Sequence, residues 1–595
     1  MPTLNQLDSP FYWDSNVCRL KSGISITQPI RMRPFRRQQG LSVKRILKKC
    51  VFALLATNFA AILDVQGFEL SAGEQLLQRE QQRQEAIKRD REEGQAPFTV
   101  IPREPLLPAT LEAEVGSCFD IQAITVEGVE AFSAGQISKI YGAYLNHCLG
   151  AVEINSLIRS LTNLYLDAGY ITSRAYLPNQ NLTQGQLRVV VVEGFVESVS
   201  IEGADAKRLR SAFPGIEGKR LNLRSIEQGV DAIGRSGAEA KVDFLPGTRL
   251  GATRLVVKVK NRPERQFTLG IDNEGSKATG ATRVSLTQAW NNPVGYNDLV
   301  WVNYQTSTLG RDDRRKASSL AASYSIPWGN WVETLSVNQY EYESWVSEAV
   351  VPFATSGDSA SVSLDSRYLL WRNQTGLTHL GLRLKQQDTE NRVSDVRLIT
   401  SSRTYSAASA YASYRHVEQR QEWQTELALH QGLSSDQADL GAATPAPHFN
   451  KLTLDASYLK RSQWQQLPLE WRSQWQVQQS DSRLVASEQL SLGGQYTVRG
   501  FAEQSVQGAS GFFTRNSLST LLHGRLDSAG FWQPSIALDY GQLHSGESLS
   551  GAALGLSYTG NQLQLQLEVG KALRTEALQA EGFITQGSMS LSWRW

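Results

Sequence analysis

The sequence predicts an α+β amino-terminal part followed by an all-β part that crosses a membrane as a closed barrel. Three observations carry this. Residues 265–595 hold no helical stripe of any length, yet many segments of alternating polarity bounded by Gly, Asn, Asp and Pro. Before them lie two stretches of β-α-α-β-β pattern, each with an early strand of the form Ile124-Thr-Val126-Glu-Gly128 or Val199-Ser-Ile201-Glu-Gly203. Thirteen of the 14 Trp follow residue 265, and the chain opens on an export-type leader.

Composition narrows the class. The chain has 595 residues, 41% hydrophobic, with no run of 18 apolar residues, which excludes a helical membrane protein. The formal net charge of +2 argues against nucleic acid as a partner. That value hides an asymmetry: residues 1–50 hold ten Lys/Arg against two Asp, a net of +8, so the remainder carries 2 − 8 = −6.

The basic excess reads as an address. Arg31, Arg33, Arg36, Arg37, Lys44, Arg45, Lys48 and Lys49 precede an apolar run from Val51 to Leu63, the order of a secretory signal peptide. Residues 1–67 are assigned to it, with Met32 a candidate true start. A basic tail before a buried helix is the competing reading. Cys18 and Cys50 leave with this segment, and Cys118 and Cys148 stay in the mature chain. In an exported protein these form one disulfide, or else remain two buried thiols. The seven His are scattered, so neither a metal nor a cofactor is expected.

Residues 68–94 read as a helix that is polar all round. Glu74 to Glu93 lacks Gly and Pro, is rich in helix formers, and places Glu80–Arg83 and Glu85–Arg89 three and four residues apart. Its few apolar residues, Leu76, Leu77, Ala86 and Ile87, make no core-facing stripe, so it suits water or a water-filled cavity. Residues 95–117, with Pro97, Pro102, Pro105 and Pro108, read as an extended linker that tethers the helix without packing it on the next domain.

The first αβ module spans 118–195: a strand over Phe119–Val126, a helix capped by Ser133, a second helix over Ile154–Leu166, and strands at Ile171–Leu177 and Gln186–Val192. The second, 196–261, repeats the pattern with helices near Ala206–Phe213 and Leu223–Ile233 and strands at Lys241–Leu245 and Thr253–Lys260.

Residues 262–595 form the barrel. Its clearest hairpin joins Leu554–Tyr558 to Leu563–Val569, apolar on one face and Gly, Ser, Gln and Glu on the other. In the last strand Met589, Leu591, Trp593 and Trp595 share one face and Ser588, Ser590, Ser592 and Arg594 the other. A soluble sandwich would turn the apolar face inward; a membrane barrel turns it to lipid and leaves a polar lumen. The Trp enrichment fits interfacial girdles. At about 20 residues per strand and turn, the segment makes about 16 strands, enough for an aqueous lumen.

Ordered motifs run through the mature chain: Cys118-Phe-Asp-Ile, Cys148-Leu-Gly, Gly169-Tyr-Ile-Thr-Ser-Arg-Ala-Tyr-Leu-Pro178, Ala212-Phe-Pro-Gly215, Pro246-Gly-Thr248, Glu488-Gln-Leu-Ser-Leu-Gly-Gly494, Val498-Arg-Gly-Phe501, Gly511-Phe-Phe-Thr-Arg-Asn516 and Leu538-Asp539-Tyr-Gly541. With them the chain, from about residue 68 to 595, resembles the outer-membrane transporters of two-partner secretion, the hemolysin secretion/activation family, within the superfamily of barrels that carry periplasmic POTRA domains. Phe501 stands where some members have Tyr, and the amino-terminal extension is longer than usual.

The resemblance implies two POTRA domains, a 16-stranded outer-membrane barrel, a helix plugging the lumen, and a long loop near 488–510 folded inward. It implies that Arg499, with Val498, Gly500 and Phe501 in the loop motif, pairs with Asp539 on the wall. Localisation is then the outer membrane of a Gram-negative bacterium, with the POTRA domains in the periplasm. The partners are a large secreted protein with an N-terminal secretion domain, outer-membrane lipid, and the barrel assembly machinery, met through the strand ending at Trp595; neither nucleic acid nor nucleotide is among them. Strand addition to a POTRA sheet edge is the expected binding mode. The strand after Gly169, with Tyr170, Thr172, Arg174 and Tyr176, and the strand Gln186–Val192 are the candidate edges. No enzyme is expected, since no Gly-x-Ser-x-Gly elbow occurs. The rival reading is an assembly factor that inserts other barrels, whose members usually carry more POTRA modules and lack the polar helix.

Overall fold

The computed structural model describes residues 72–95, 98–101, 118–307, 314–346, 353–435, 448–501, 504–523, 530–575 and 585–595. The leader reading for residues 1–67 lies outside them. Helix α1 (Ala72–Gln95) comes first.

The first module is built from β1 (Phe119–Ile121), β2 (Ala123–Glu127), α2 (Ala134–Tyr141), β3 (His147–Leu149), α3 (Ala151–Asp167), β4 (Arg174–Tyr176) and β5 (Gln186–Val192). The sequence predicts one strand over Phe119–Val126, but the structure splits it at Gln122. There the carbonyl of Gly185 accepts the N–H groups of both Gln122 and Ala123, at 2.8 and 3.1 Å, turning the chain from one sheet to another. β1 then pairs with β3, and β2 runs parallel to β5. In α3, Glu153 reaches back to accept the N–H of Gly150, closing the first turn. Leu157, Leu161 and Tyr165 recur at four-residue spacing and are buried against Leu187, Val189 and Val191 of β5. The strand predicted at Ile171–Leu177 shortens to β4. A turn closed by Ser173 N–H on the Tyr170 carbonyl consumes its start, and Ile171 packs into the second module's core.

The sheet order β2-β5-β4 corrects one expectation. Gln186–Val192 is the central strand, paired with β2 over Gln186–Val190 and with β4 over Val190–Val192, and the Gln180 side chain takes the Arg188 backbone groups, so it is not an edge strand. β4 and β2 are the edges. The physical reason is burial: every second residue of β5 lies under α3, which favours the middle of the sheet.

The second module repeats that order with β6 (Phe195–Glu202), α4 (Lys207–Ala212), α5 (Leu223–Gly234), β7 (Glu239–Pro246) and β8 (Ala252–Lys260). Again the first strand runs parallel to the last and the middle strand pairs antiparallel with the last, in the order β6-β8-β7. Asn222 caps α5 by accepting the Arg224 N–H at 2.9 Å.

Sixteen antiparallel strands close the barrel. The first, Arg265–Asp272, pairs with the last, Thr585–Arg594, so no long edge is left open. The predicted hairpin forms with Leu554 opposite Val569 and Leu556 opposite Leu567. These side chains point outward: Leu554 is 66% exposed on the barrel wall, the signature of a lipid-facing row. Ser588 and Ser590 line the lumen instead. Trp328 and Trp331 flank the turn at Gly329-Asn330, and Trp371, Trp464, Trp532 and Trp595 also sit at strand ends on the side where β8 enters the barrel. The second module docks on that side. Gly329 N–H donates to the Ser211 carbonyl at 2.7 Å, and Ser211 Oγ donates to the Tyr296 carbonyl at 2.8 Å.

Candidate functional site

Residues 480–501 and 504–510 leave the barrel rim and turn back into the lumen. Within this loop Leu490–Leu492 pairs with Val506–Gly508 as a short hairpin. At its tip the Arg499 guanidinium grips Asp539: Nε donates to Oδ2 at 2.6 Å and Nη2 to Oδ1 at 2.7 Å. The Arg499 backbone N–H adds a third bond to Oδ2 at 3.0 Å. Such a two-pronged charged pair fixes orientation as well as position. Nη1 also reaches Glu568 at 3.3 Å. Arg499 is 6% exposed and Asp539 4%.

Neighbouring motif residues explain how the tip seats. Gly500 adopts φ +94°, and a Cβ there would lie 2.6 Å from the Ala572 nitrogen, so only glycine fits. Val498 and Phe501 are buried with Leu490, Leu492, Phe513, Leu543 and Leu549 in a small apolar cluster. The tip is therefore held by a charged clasp beside an apolar seat.

A second anchor was not read from the sequence. Glu488, at the root of the loop, accepts Lys451 Nζ at 2.6 Å, Lys385 Nζ at 3.1 Å and the Tyr405 hydroxyl at 2.8 Å. It opens the motif Glu488–Gly494, but its partners lie 37, 103 and 83 residues away. No local signal links them.

Helix α1 occupies the lumen beside this loop. Gln78 and Gln82 donate to the loop carbonyls of Gln489 and Ser491 at 2.9 and 3.2 Å. Arg89 pairs with Asp455 at 3.5 Å, and Glu74 with Arg403 at 3.6 Å. Leu76 and Leu77 are buried in a small apolar cluster with Tyr342, against which Ala278, Ala317 and Tyr340 pack. A cavity of about 530 Å³ remains between the helix and the wall, lined by polar residues such as Gln82, Arg89, Gln474, Arg515 and Glu568. These contacts are mostly polar, so the helix is lodged in the lumen without being fused to a large apolar core.

On the first module, Cys118 and Cys148 are joined, with Cα atoms 5.2 Å apart; the β1–β3 pairing sets Asp120 opposite Cys148 and brings them together. The structure does not gather Tyr170, Thr172, Arg174 and Tyr176 on one surface. Tyr170 packs edge-on against Phe132 and Tyr165. Thr172 is half-buried, and Arg174 donates to the carbonyls of Ile171 and Ser173 at 2.6 and 2.8 Å. Tyr176 alone is well exposed, at 52%. Between the modules, Glu193 accepts the N–H groups of Glu130 and Ala131, the Tyr165 hydroxyl and Arg220 Nη1, all within 2.9 Å. Burial raises its affinity for a proton, but these donors outweigh that and hold the carboxyl below its ordinary value.

The linker differs from its sequence reading. Residues 98–101 are not a free tether but lie pinned between α5 and the barrel. Thr99 N–H donates to Asp231 at 2.9 Å and Ile101 N–H to Glu227 at 3.1 Å. Arg372, at the end of a barrel strand, donates to the Thr99 carbonyl at 2.7 Å and pairs with Asp231 at 2.6 Å. The reason is that two buried acids on α5 need donors, and an extended backbone supplies them.

A polar lumen occupied by a helix, an inward loop clasped to the wall, and two αβ modules at one mouth define a protein-conducting barrel. Comparisons agree. The profile described as "Haemolysin secretion/activation protein ShlB/FhaC/HecB" matches residues 251–558. POTRA domain profiles match 119–194 (ShlB-type) and 195–246. The "Outer membrane transporter CdiB" of Escherichia coli is 32% identical over 524 residues, covering 84% of this chain and 85% of its own. The "Hemolysin transporter protein ShlB" of Serratia marcescens is 30% identical over 504 residues, covering 82% and 85%. The solved structure of CdiB from Escherichia coli matches with a TM-score of 0.80 at 29% identity, covering 89% of this chain and 100% of its own.

The chain belongs to the haemolysin secretion/activation protein family. It is an outer-membrane transporter of two-partner secretion with periplasmic POTRA domains, and so serves a secreted partner protein.

Proposed function

We propose that this transporter carries one dedicated partner, a large exported protein of the hemolysin or adhesin type with an N-terminal secretion domain. The partner arrives unfolded, adds a strand to a POTRA edge, and threads through the lumen once α1 has left. The edge we favour is β4, where Tyr176 is exposed. The observation that carries this reading is the lodging of α1: a largely polar helix, held in a polar pore by hydrogen bonds to the loop and an ion pair to the wall, exposes little apolar surface beyond Leu76 and Leu77 when it leaves. Residues 1–67 act as the leader, 68–94 as the plug and 95–117 as its linker. Residues 118–195 and 196–261 act as the receiving modules, and 262–595 as the conduit. Arg499 and Asp539 anchor the loop, supported by Val498, Gly500 and Phe501, and the Cys118–Cys148 bridge braces the receiving module. The outer face meets lipid, the strand ending at Trp595 addresses the barrel assembly machinery, and no catalytic step is assigned.

Deleting the gene for this chain tests the reading. Surface secretion of a single partner is expected to vanish while other outer-membrane barrels assemble at normal levels. Joint failure of many barrels would point to an assembly factor instead.

A further inference from the structure

The contacts that pin residues 98–101 have a chemistry of their own. Glu227 and Asp231 sit one helical turn apart on α5, both buried, and take the N–H groups of residues two apart on an extended strand. Arg372 takes the intervening carbonyl of Thr99. These contacts read main chain only, so they specify an extended backbone and not a sequence. Two side chains add a preference: the Phe98 ring lies 5.3 Å from the Arg372 guanidinium, and Ile101 packs against the second module's core.

We propose that Glu227, Asp231 and Arg372 form a docking site for an extended polypeptide, held at rest by the chain's own Phe98–Ile101 and taken over by the exported partner during transport. The favoured ligand is an extended segment with an aromatic side chain one residue before the first bound N–H and an apolar one at the second. Two features support an exchange of occupants. The strap begins three residues after α1 ends, a span of at most about 11 Å, so a helix leaving the lumen pulls on it. An emptied cradle leaves Asp231 Oδ1 and Glu227 Oε1 without these N–H donors, in a buried place where unmet acceptors are costly. An incoming extended chain restores both. The site stands at the end of a barrel strand, at the mouth the partner must pass. The proposal rests on the reading that the partner enters the lumen unfolded.

The full-length protein in outer membranes tests it, with the photo-crosslinker p-benzoylphenylalanine placed singly at Gln228 or Gln374 beside the cradle, at Tyr176 on β4, or at Gln474 in the lumen. At rest, Gln228 and Gln374 are expected to give adducts with the chain's own residues 98–101. With a partner stalled by a fused stable domain, those self-adducts should fall several-fold and partner adducts appear. Thr99→Pro, which removes the N–H bound by Asp231 without changing a residue of either module, should lower the self-adduct and raise the partner adduct. Partner adducts at Gln474 but never at Gln228 or Gln374, with self-adducts unchanged, would overturn the docking site alone. Absence of partner adducts from Gln474 as well would overturn the entry reading, and the site with it.

Discussion

At the scale of single residues, Arg499 shows how a buried ion pair serves position more than stability. Desolvating both charges largely offsets their attraction, whereas removing one partner strands the other at a cost of about 3–5 kcal/mol. Arg499→Ala should therefore free the loop tip. We expect secretion to drop at least about tenfold, the factor of even 1.4 kcal/mol, with the barrel still inserted; unchanged secretion would remove the loop from the mechanism. Asp539→Ala should match it, and the double variant should be no worse. Glu193 makes a pH prediction. Its folded proton affinity lies below the unfolded one, so its stabilisation is present above the unfolded value of about 4.3 and is lost as pH falls through the folded one. Glu193→Gln should melt at lower temperature than the native protein at neutral pH, and the two should converge in acid, as followed by thermal unfolding. The Arg499–Asp539 pair was legible because both residues sit in motifs. Glu488 was not, since Lys385 and Tyr405 approach it only once the barrel closes.

Among elements, α1 was the most readable. Its charge ladder and want of an apolar stripe exclude a core position, and the lumen is where it lies. Deleting residues 72–95 should raise single-channel conductance several-fold in planar bilayers and sensitise cells to bulky antibiotics; unchanged conductance would mean the helix does not limit the pore. β5 taught the opposite lesson. Alternation in Gln186–Val192 predicts a strand, but periodicity says nothing about which neighbours it pairs with. The strap is a third case: Pro spacing predicts extended chain, while its partners Glu227, Asp231 and Arg372 come from two other domains.

Across the whole molecule, closure is the decisive step. The seam joins Thr268–Asp272 to Ser590–Arg594 over five residue pairs, and the rings of Phe267 and Trp595 stack just beyond it, 5.9 Å apart. Trp595 also exchanges backbone hydrogen bonds with Phe267 in both directions, at 3.0 and 3.1 Å. Trp595→Ala removes a ring pair worth about 1 kcal/mol at the shortest of the long strand pairings. We expect a lower temperature for loss of the heat-modifiable folded form on gels, with unchanged strand content by circular dichroism. An unshifted transition would assign the seam's strength to backbone pairing alone.

The sequence by itself determined the class: export, a polar helix, a proline linker, two repeated αβ modules, and a barrel whose apolar face alternates with a polar one. These are local signals, set by period, capping and composition. Only the tertiary structure decided which strand lies at a sheet's edge, that Glu488 anchors the loop root, and that residues 98–101 are pinned against the barrel. Each depends on groups tens to hundreds of residues apart meeting in a buried place. There, the need of every carboxylate and N–H for a partner selects an arrangement that no stretch of sequence records.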